Sequence, residues 1–268
     1  MWALDQPCAP RADRLVADTP LALLATLALG VATTGTLVAL AVLPPSAVHV
    51  AGVTAGHGAL LATALAWAHV HSASGVVVVG LLGLAALASG LGGLGALAYL
   101  GPALWIAWLA GRGRLTGLGL GGPVPLRGAL TGALVGAFLA CHLLVSVSRT
   151  LGVHVRVDRL SEVLAAVAYD LGANVLAAEC FFRGALFTRA QRRWPAATAA
   201  ALSTAAYVLR YLVDPLLPKS SELVVGAVFY LVLLGAINCW LLWWSQSLVP
   251  GLLSALVFFA AYRTLGSG

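Results

Sequence analysis

Apolar positions run along this chain in long blocks, with charged residues confined to the gaps between them. Between Asp18 and Arg112 there is no Asp, Glu, Lys or Arg, and a second such stretch runs from Leu223 to Tyr262. Water-facing surfaces are not made that way. A hydrocarbon core about 30 Å thick takes about 20 apolar residues of helix to cross, so each stretch must hold more than one span. Length therefore counts helices here rather than domains.

The pattern predicts an all-α, polytopic membrane helix bundle of about eight or nine transmembrane helices. The spans fall at about 20–43, 50–68, 75–91, 93–111, 128–148, 160–182, 195–213, 222–244 and 247–263. The first is too long for a secretory h-region and lacks a small-residue cleavage site, so it reads as a retained span that Pro44-Pro45 ends. The run Ser89-Gly90-Leu91-Gly92-Gly93-Leu94-Gly95 is either a turn between the third and fourth spans or a kink within one arrangement, which is the source of the two counts. Residues 1–19 form an N-terminal segment, 20–127 the first group of helices with a basic loop, and 128–268 a C-terminal core.

Composition agrees: 61% of residues are hydrophobic and 9% charged, with a mean hydropathy of +0.97. Soluble domains carry roughly 25% charged residues. The net charge of +6 sits in short inter-helix loops rather than on one folded basic face, so nucleic acid is excluded as a partner and the bilayer with its anionic headgroups takes its place. Basic residues cluster at Arg11 and Arg14, at Arg112, Arg114 and Arg127, and at Arg183, Arg189, Arg192 and Arg193. Nine spans and an N-terminus inside put all three clusters on the cytoplasmic side, as the positive-inside rule demands, whereas Arg149, Arg156 and Arg159 would lie outside. The expected location is a bacterial cytoplasmic membrane, with Trp240, Trp243 and Trp244 in an interfacial belt.

Cys8, Cys141, Cys180 and Cys239 are scattered without a CxxC spacing, which indicates apolar packing rather than a zinc site or disulfides. His69-Val70-His71 offers ligand types in a short loop with no third ligand nearby, so no metal and no cofactor is implied. The many small-xxx-small spacings let helices approach closely and say nothing about chemistry.

Charges inside spans cost roughly 2.5 to 3.5 kcal/mol each on insertion scales, so those that remain are functional candidates. Asp170, Glu179 and Arg183 share the sixth span and its end, while Arg210 and Asp214 lie at the far end of the seventh. Glu179 and Arg183 stand four residues apart with the acid first, the favourable order for an ion pair on one helix face. Asp170 and Asn174 share a face with Ala178, about 12 Å and about 6 Å along the axis from it.

The string Ala177-Ala178-Glu179-Cys180-Phe181-Phe182-Arg183-Gly184-Ala185-Leu186, followed by Arg189, Arg192 and Arg193, resembles the first signature of the CAAX-protease and bacteriocin-processing (CPBP) family of glutamic intramembrane proteases. That signature reads Glu-Glu-x-x-x-Arg, commonly with Phe before the Arg and Gly after it. Glu179 and Arg183 match the second Glu and the Arg, and Ala178 stands where the first Glu belongs. The resemblance continues over 203–211 and 247–259, where Tyr207 and Tyr211 replace the Phe and His of the second signature. Ala255 and Phe259 replace the His and Asn or Asp of the third.

The resemblance implies a CAAX-protease-like core in the C-terminal half whose chemical positions are lost. Ala178, Ala255 and Phe259 can neither accept a proton nor donate a hydrogen bond to an oxyanion. No histidine follows His154, and His142 flanks the outer side of its span. A degenerate member that holds a partner membrane protein or membrane-embedded peptide is the expected function, with Glu179 and Arg183 as a structural clamp. One alternative is an active intramembrane endopeptidase using Glu179 as base, with Tyr211, Tyr207 or Asn238 as donors. A second is an accessory subunit of a larger membrane complex.

Overall fold

In lipid every backbone N–H and C=O must find its partner within the chain, and helices achieve this segment by segment. The computed structural model describes Arg14, Leu15, Ala32, Thr36 and residues 44–70, 72–92, 94–124, 126–151, 160–212 and 221–265, and among them there are helices and turns but no strand. The body of the expected first span, the loop carrying Arg156 and Arg159, and Cys8, His71, His154 and Asp214 lie outside the described residues.

The helices are α1 (Ser46–Trp67), α2 (Ser72–Ser89), α3 (Gly95–Gly111), α4 (Leu126–Leu151), α5 (Ser161–Ala190), α6 (Ala196–Leu212), α7 (Ser221–Ser245) and α8 (Val249–Tyr262). By length and composition α1, α4, α5 and α7 can cross a membrane, and α2, α3 and α8 are shorter apolar helices. The chain is an integral membrane helix bundle. The glycine run resolves into a turn: α2 ends at Ser89, Gly92 takes φ +119°, and a Cβ on Gly95 would collide with the carbonyl of Ala88.

Where lipid supplies no hydrophobic drive, close backbone approach holds helices together. Gly132 and Gly136 of α4 lie against the backbone of Pro250 and Ser254 on α8, and Gly172 of α5 lies against Tyr99 at the start of α3. The other face of α4 presents Leu126, Leu130, Leu134 and Phe138 outward at four-residue spacing, the side that meets lipid.

Arg14, Arg112, Arg114, Arg189 and Arg192 gather at one end of the bundle. Arg192 donates to the backbone oxygen of Leu15. Gly117 packs on Arg14 and Leu15, and Gly184 on Leu118. Arg112 stacks on Trp108 and Arg189 on Trp67.

Two expectations change. The sixth span runs to Ala190 rather than 182, so Arg183 sits inside α5, fully buried, and not at a helix end. The interior can hold it there because Glu179 and the ring of Tyr207 face it. Trp243 is buried in the core rather than in a belt, whereas Trp240 and Trp244 stack with ring centroids 5.5 Å apart.

Candidate functional site

The polar residues of α5 sit where the helix departs from α geometry. Residues 170–174 and 179–187 form wider turns with hydrogen bonds reaching five residues back, as do 52–57 of α1. Such turns are rare and concentrate at functional sites, because they re-aim side chains relative to an ordinary helix.

Glu179 is the hub at the basic half of the bundle. Its Oε1 lies 3.5 Å from Arg183 Nη1 and accepts a 3.0 Å hydrogen bond from Asn238 Nδ2 on α7. The same Nδ2 also donates to the carbonyl of Gly251 on α8, so one amide joins three helices. The Arg183 guanidinium lies 3.8 Å from the centre of the Tyr207 ring, a cation–π contact that stabilises a desolvated charge by about 2 kcal/mol. Ser203 donates to the carbonyl of Phe182, fixing α6 beside this turn.

A seam of contacts leads from this hub toward the opposite end. Tyr207 meets Tyr211 edge-on with ring centroids 4.9 Å apart. The Tyr211 hydroxyl donates to Asn174 Oδ1 at 3.0 Å, and Asn174 Nδ2 donates to Asp170 at 3.0 Å. Asp170 is held by Arg263 beyond α8 through two hydrogen bonds of 3.0 and 3.3 Å. The structure therefore joins all six sequence-derived candidates, Glu179, Arg183, Tyr207, Tyr211, Asn174 and Asp170, into one continuous line. Asp170 is engaged at the far end of that line, away from Glu179.

Arg210, whose expected local partner Asp214 lies outside the described residues, also extends beyond its own helix. It reaches across to Asn174 Oδ1 at 3.2 Å and to His57 Nδ1 of α1 at 2.8 Å. Because an arginine only donates, Nδ1 is an acceptor, and His57 keeps its proton on Nε2 to donate to the Tyr169 hydroxyl at 2.8 Å. A histidine from outside the signature helices thus enters the network, although α5 to α8 carry none. In the sequence it is one of four histidines within an uncharged stretch, and only the packing of α1 on α5 shows its partners. His142, exposed on α4, bonds the Tyr230 hydroxyl. Among the described residues no group of three His, Cys, Asp or Glu side chains could hold a metal.

The four positions aligned with the resembled signatures come together as well. Ala178, Tyr211, Ala255 and Phe259 share one buried cluster with Phe182, Tyr207 and Phe258. Phe259 stacks on Tyr211 with centroids 5.8 Å apart. Residues 160–260, which run from the start of α5 into α8, match the family described as type II CAAX prenyl endopeptidase Rce1-like. Residues 160–260 are an Rce1-like core. No curated protein and no solved structure matches the chain. The Rce1-like core thus contains both the Glu179 hub and the aromatic cluster, while α1 to α4 lie outside the matched residues.

Several polar atoms at the hub have no hydrogen-bond partner among the described residues: Glu179 Oε2, Asn238 Oδ1, Ser254 Oγ, Thr204 Oγ1 and the Arg183 nitrogens. An unsatisfied buried group costs about 1 to 3 kcal/mol.

Proposed function

We propose that this CAAX-protease-like membrane protein is catalytically degenerate and works by binding a partner membrane protein or a membrane-embedded peptide. One observation carries the reading. The places where the resembled family keeps its ionisable groups hold Ala178, Tyr211, Ala255 and Phe259, packed into a single apolar and aromatic cluster. Ala178, Ala255 and Phe259 supply neither a general base nor an oxyanion donor, each worth orders of magnitude in rate, and the one hydroxyl among the four, that of Tyr211, is donated to Asn174. Glu179, the nearest carboxylate in sequence, is tied to Arg183 and Asn238, which suits a clamp better than a base. The basic end would face the cytoplasm of a bacterial cell.

A second reading, a peptidase using Glu179, is favoured by its Oε2, which has no hydrogen-bond partner among the described residues and lies beside Gly251. Both are tested with the full-length protein in liposomes, offered a quenched fluorescent peptide ending in a prenylated cysteine and three further residues. Cleavage should stay at the level of empty liposomes for the wild type and for Glu179→Gln alike. Purification in mild detergent at native abundance should yield a membrane partner in fixed ratio. Cleavage abolished by Glu179→Gln would overturn the binding reading and establish the second.

A further inference from the structure

We infer that the arginine-rich end of the bundle is a binding surface for the headgroups of anionic phospholipids, formed by the turn that carries Arg112 and Arg114 together with Arg193 beyond α5. All three side chains are exposed. Arg192 donates to Leu15, and Gly117 packs on Arg14 and Leu15, so the turn after α3 and the end of α5 adjoin the same segment. Arg112 and Arg114 flank Gly113, whose φ of +70° closes α3 in a tight turn. Cβ atoms on Gly111 and Gly113 would meet nothing within 4 Å, so this turn is open to a headgroup rather than packed against protein.

The chain does not neutralise this end by itself. Among the described residues, Glu162 and Asp170 on the first half of α5 and Glu222 at the start of α7 belong to the opposite end, and Glu179 is buried against Arg183. Residues 1–19 add Asp5, Asp13 and Asp18. Even with all three set against them, Arg11, Arg14, Arg112, Arg114, Arg127, Arg189, Arg192 and Arg193 leave an excess of positive charge that meets whatever lies outside the chain.

The aromatic residues among these arginines select the partner. Trp108, Trp194 and Trp244 are 46%, 47% and 41% exposed at this end, and the Arg112 guanidinium lies 4.7 Å from the centre of the Trp108 ring. A guanidinium seated on a ring keeps its N–H edge for phosphate, which it can hold through two bonds. Exposed indoles level with arginines suit the headgroup layer, where the ring lies among headgroups and the cation meets phosphate. A soluble acidic segment would meet the charge and leave the indoles uncovered. A zwitterionic headgroup brings its own cation and offers no net attraction.

Native mass spectrometry of the full-length protein in detergent, supplied with equal amounts of phosphatidylglycerol and phosphatidylcholine of matched acyl chains, tests this. Phosphatidylglycerol should be retained in preference by about five-fold for each arginine it engages. The triple variant Arg112→Gln, Arg114→Gln, Arg193→Gln should bring the two lipids to parity, while Arg149→Gln, exposed at the opposite end, should leave the preference intact. Equal retention by the wild type, or a triple variant that keeps the preference, would overturn the inference. Displacement of the lipid by an equal concentration of glycerol 3-phosphate or of a glutamate-rich peptide would overturn it too, assigning this end to a soluble phosphate or to an acidic protein segment. Lipid retention is read without peptide cleavage or partner capture, so this inference and the binding reading fail separately.

Discussion

A charge at Glu179 has been removed from water and placed among helices that lipid surrounds, with Arg183 one turn away as its counter-charge. Removing one partner of a buried pair costs about 3 to 5 kcal/mol, whereas removing both together can cost little. Arg183→Met and Glu179→Gln should therefore each lower the thermal midpoint in detergent, and the double variant should lie well above the sum of the two losses. A double-mutant cycle on the unfolding midpoints checks this; strict additivity would mean that the two side chains do not act as a pair. The pairing was legible from the four-residue spacing alone. Asn238 was visible only as one polar residue on an apolar helix, because its bond to Glu179 spans 59 positions and depends on how α7 packs. For Arg210 the spacing pointed to Asp214, which lies outside the described residues, and gave no sign of the partners on α1 and α5, His57 and Asn174.

At the level of helices, glycines separate into those that set an approach and those that do not. A side chain on Gly136 would collide with the backbone of Ser254, and one on Gly172 with that of Tyr99, and backbone cannot move aside cheaply. Gly136→Leu and Gly172→Ala should therefore give aggregated or protease-sensitive protein. Gly226→Ala, on α7 with open space around it, should be neutral or stabilising by up to about 1 kcal/mol. Size-exclusion profiles and limited proteolysis in detergent distinguish these outcomes, and a well-folded Gly172→Ala protein would contradict the described approach of α5 to α3. Thirty glycines made every small-residue spacing in the sequence equivalent. In the contact between α4 and α8 the structure singles out Gly132 and Gly136, because a Cβ on either would meet the facing backbone of Pro250 or Ser254.

For the whole molecule, the arginines at one end define a polarity. Arg14, Arg112, Arg114, Arg189 and Arg192 belong to segments that touch one another or flank their contacts, while Arg149 closes α4 away from its basic start. Single cysteines introduced next to Arg114 and Arg193 should be labelled by an impermeant thiol reagent from the same side of the membrane, and one next to Arg149 from the other. The first side should be the cytoplasm. Labelling of the Arg114 and Arg193 positions from opposite sides would break the arrangement of α3 and α5. The architecture was readable at this scale because apolar blocks of spanning length admit few alternatives. From the second expected span onward the described helices begin and end within a few residues of the expected bounds, apart from the longer α5, and four of them are long and apolar enough to cross a membrane.

By itself the sequence determined that the protein lives in a membrane, where its helices run, and that its C-terminal core resembles CAAX-type intramembrane proteases. These follow from hydropathy, which is additive along the chain, and from a local signature one helical turn long. Only the tertiary structure decided that Asp170, Asn174, Tyr211, Tyr207, Arg183 and Glu179 form one line, and that Asn238 and His57 join it. It also decided that the signature positions meet in an aromatic cluster. Those arrangements depend on helix rotation and packing, which an apolar sequence in lipid constrains weakly until small residues and buried polar bonds select one geometry.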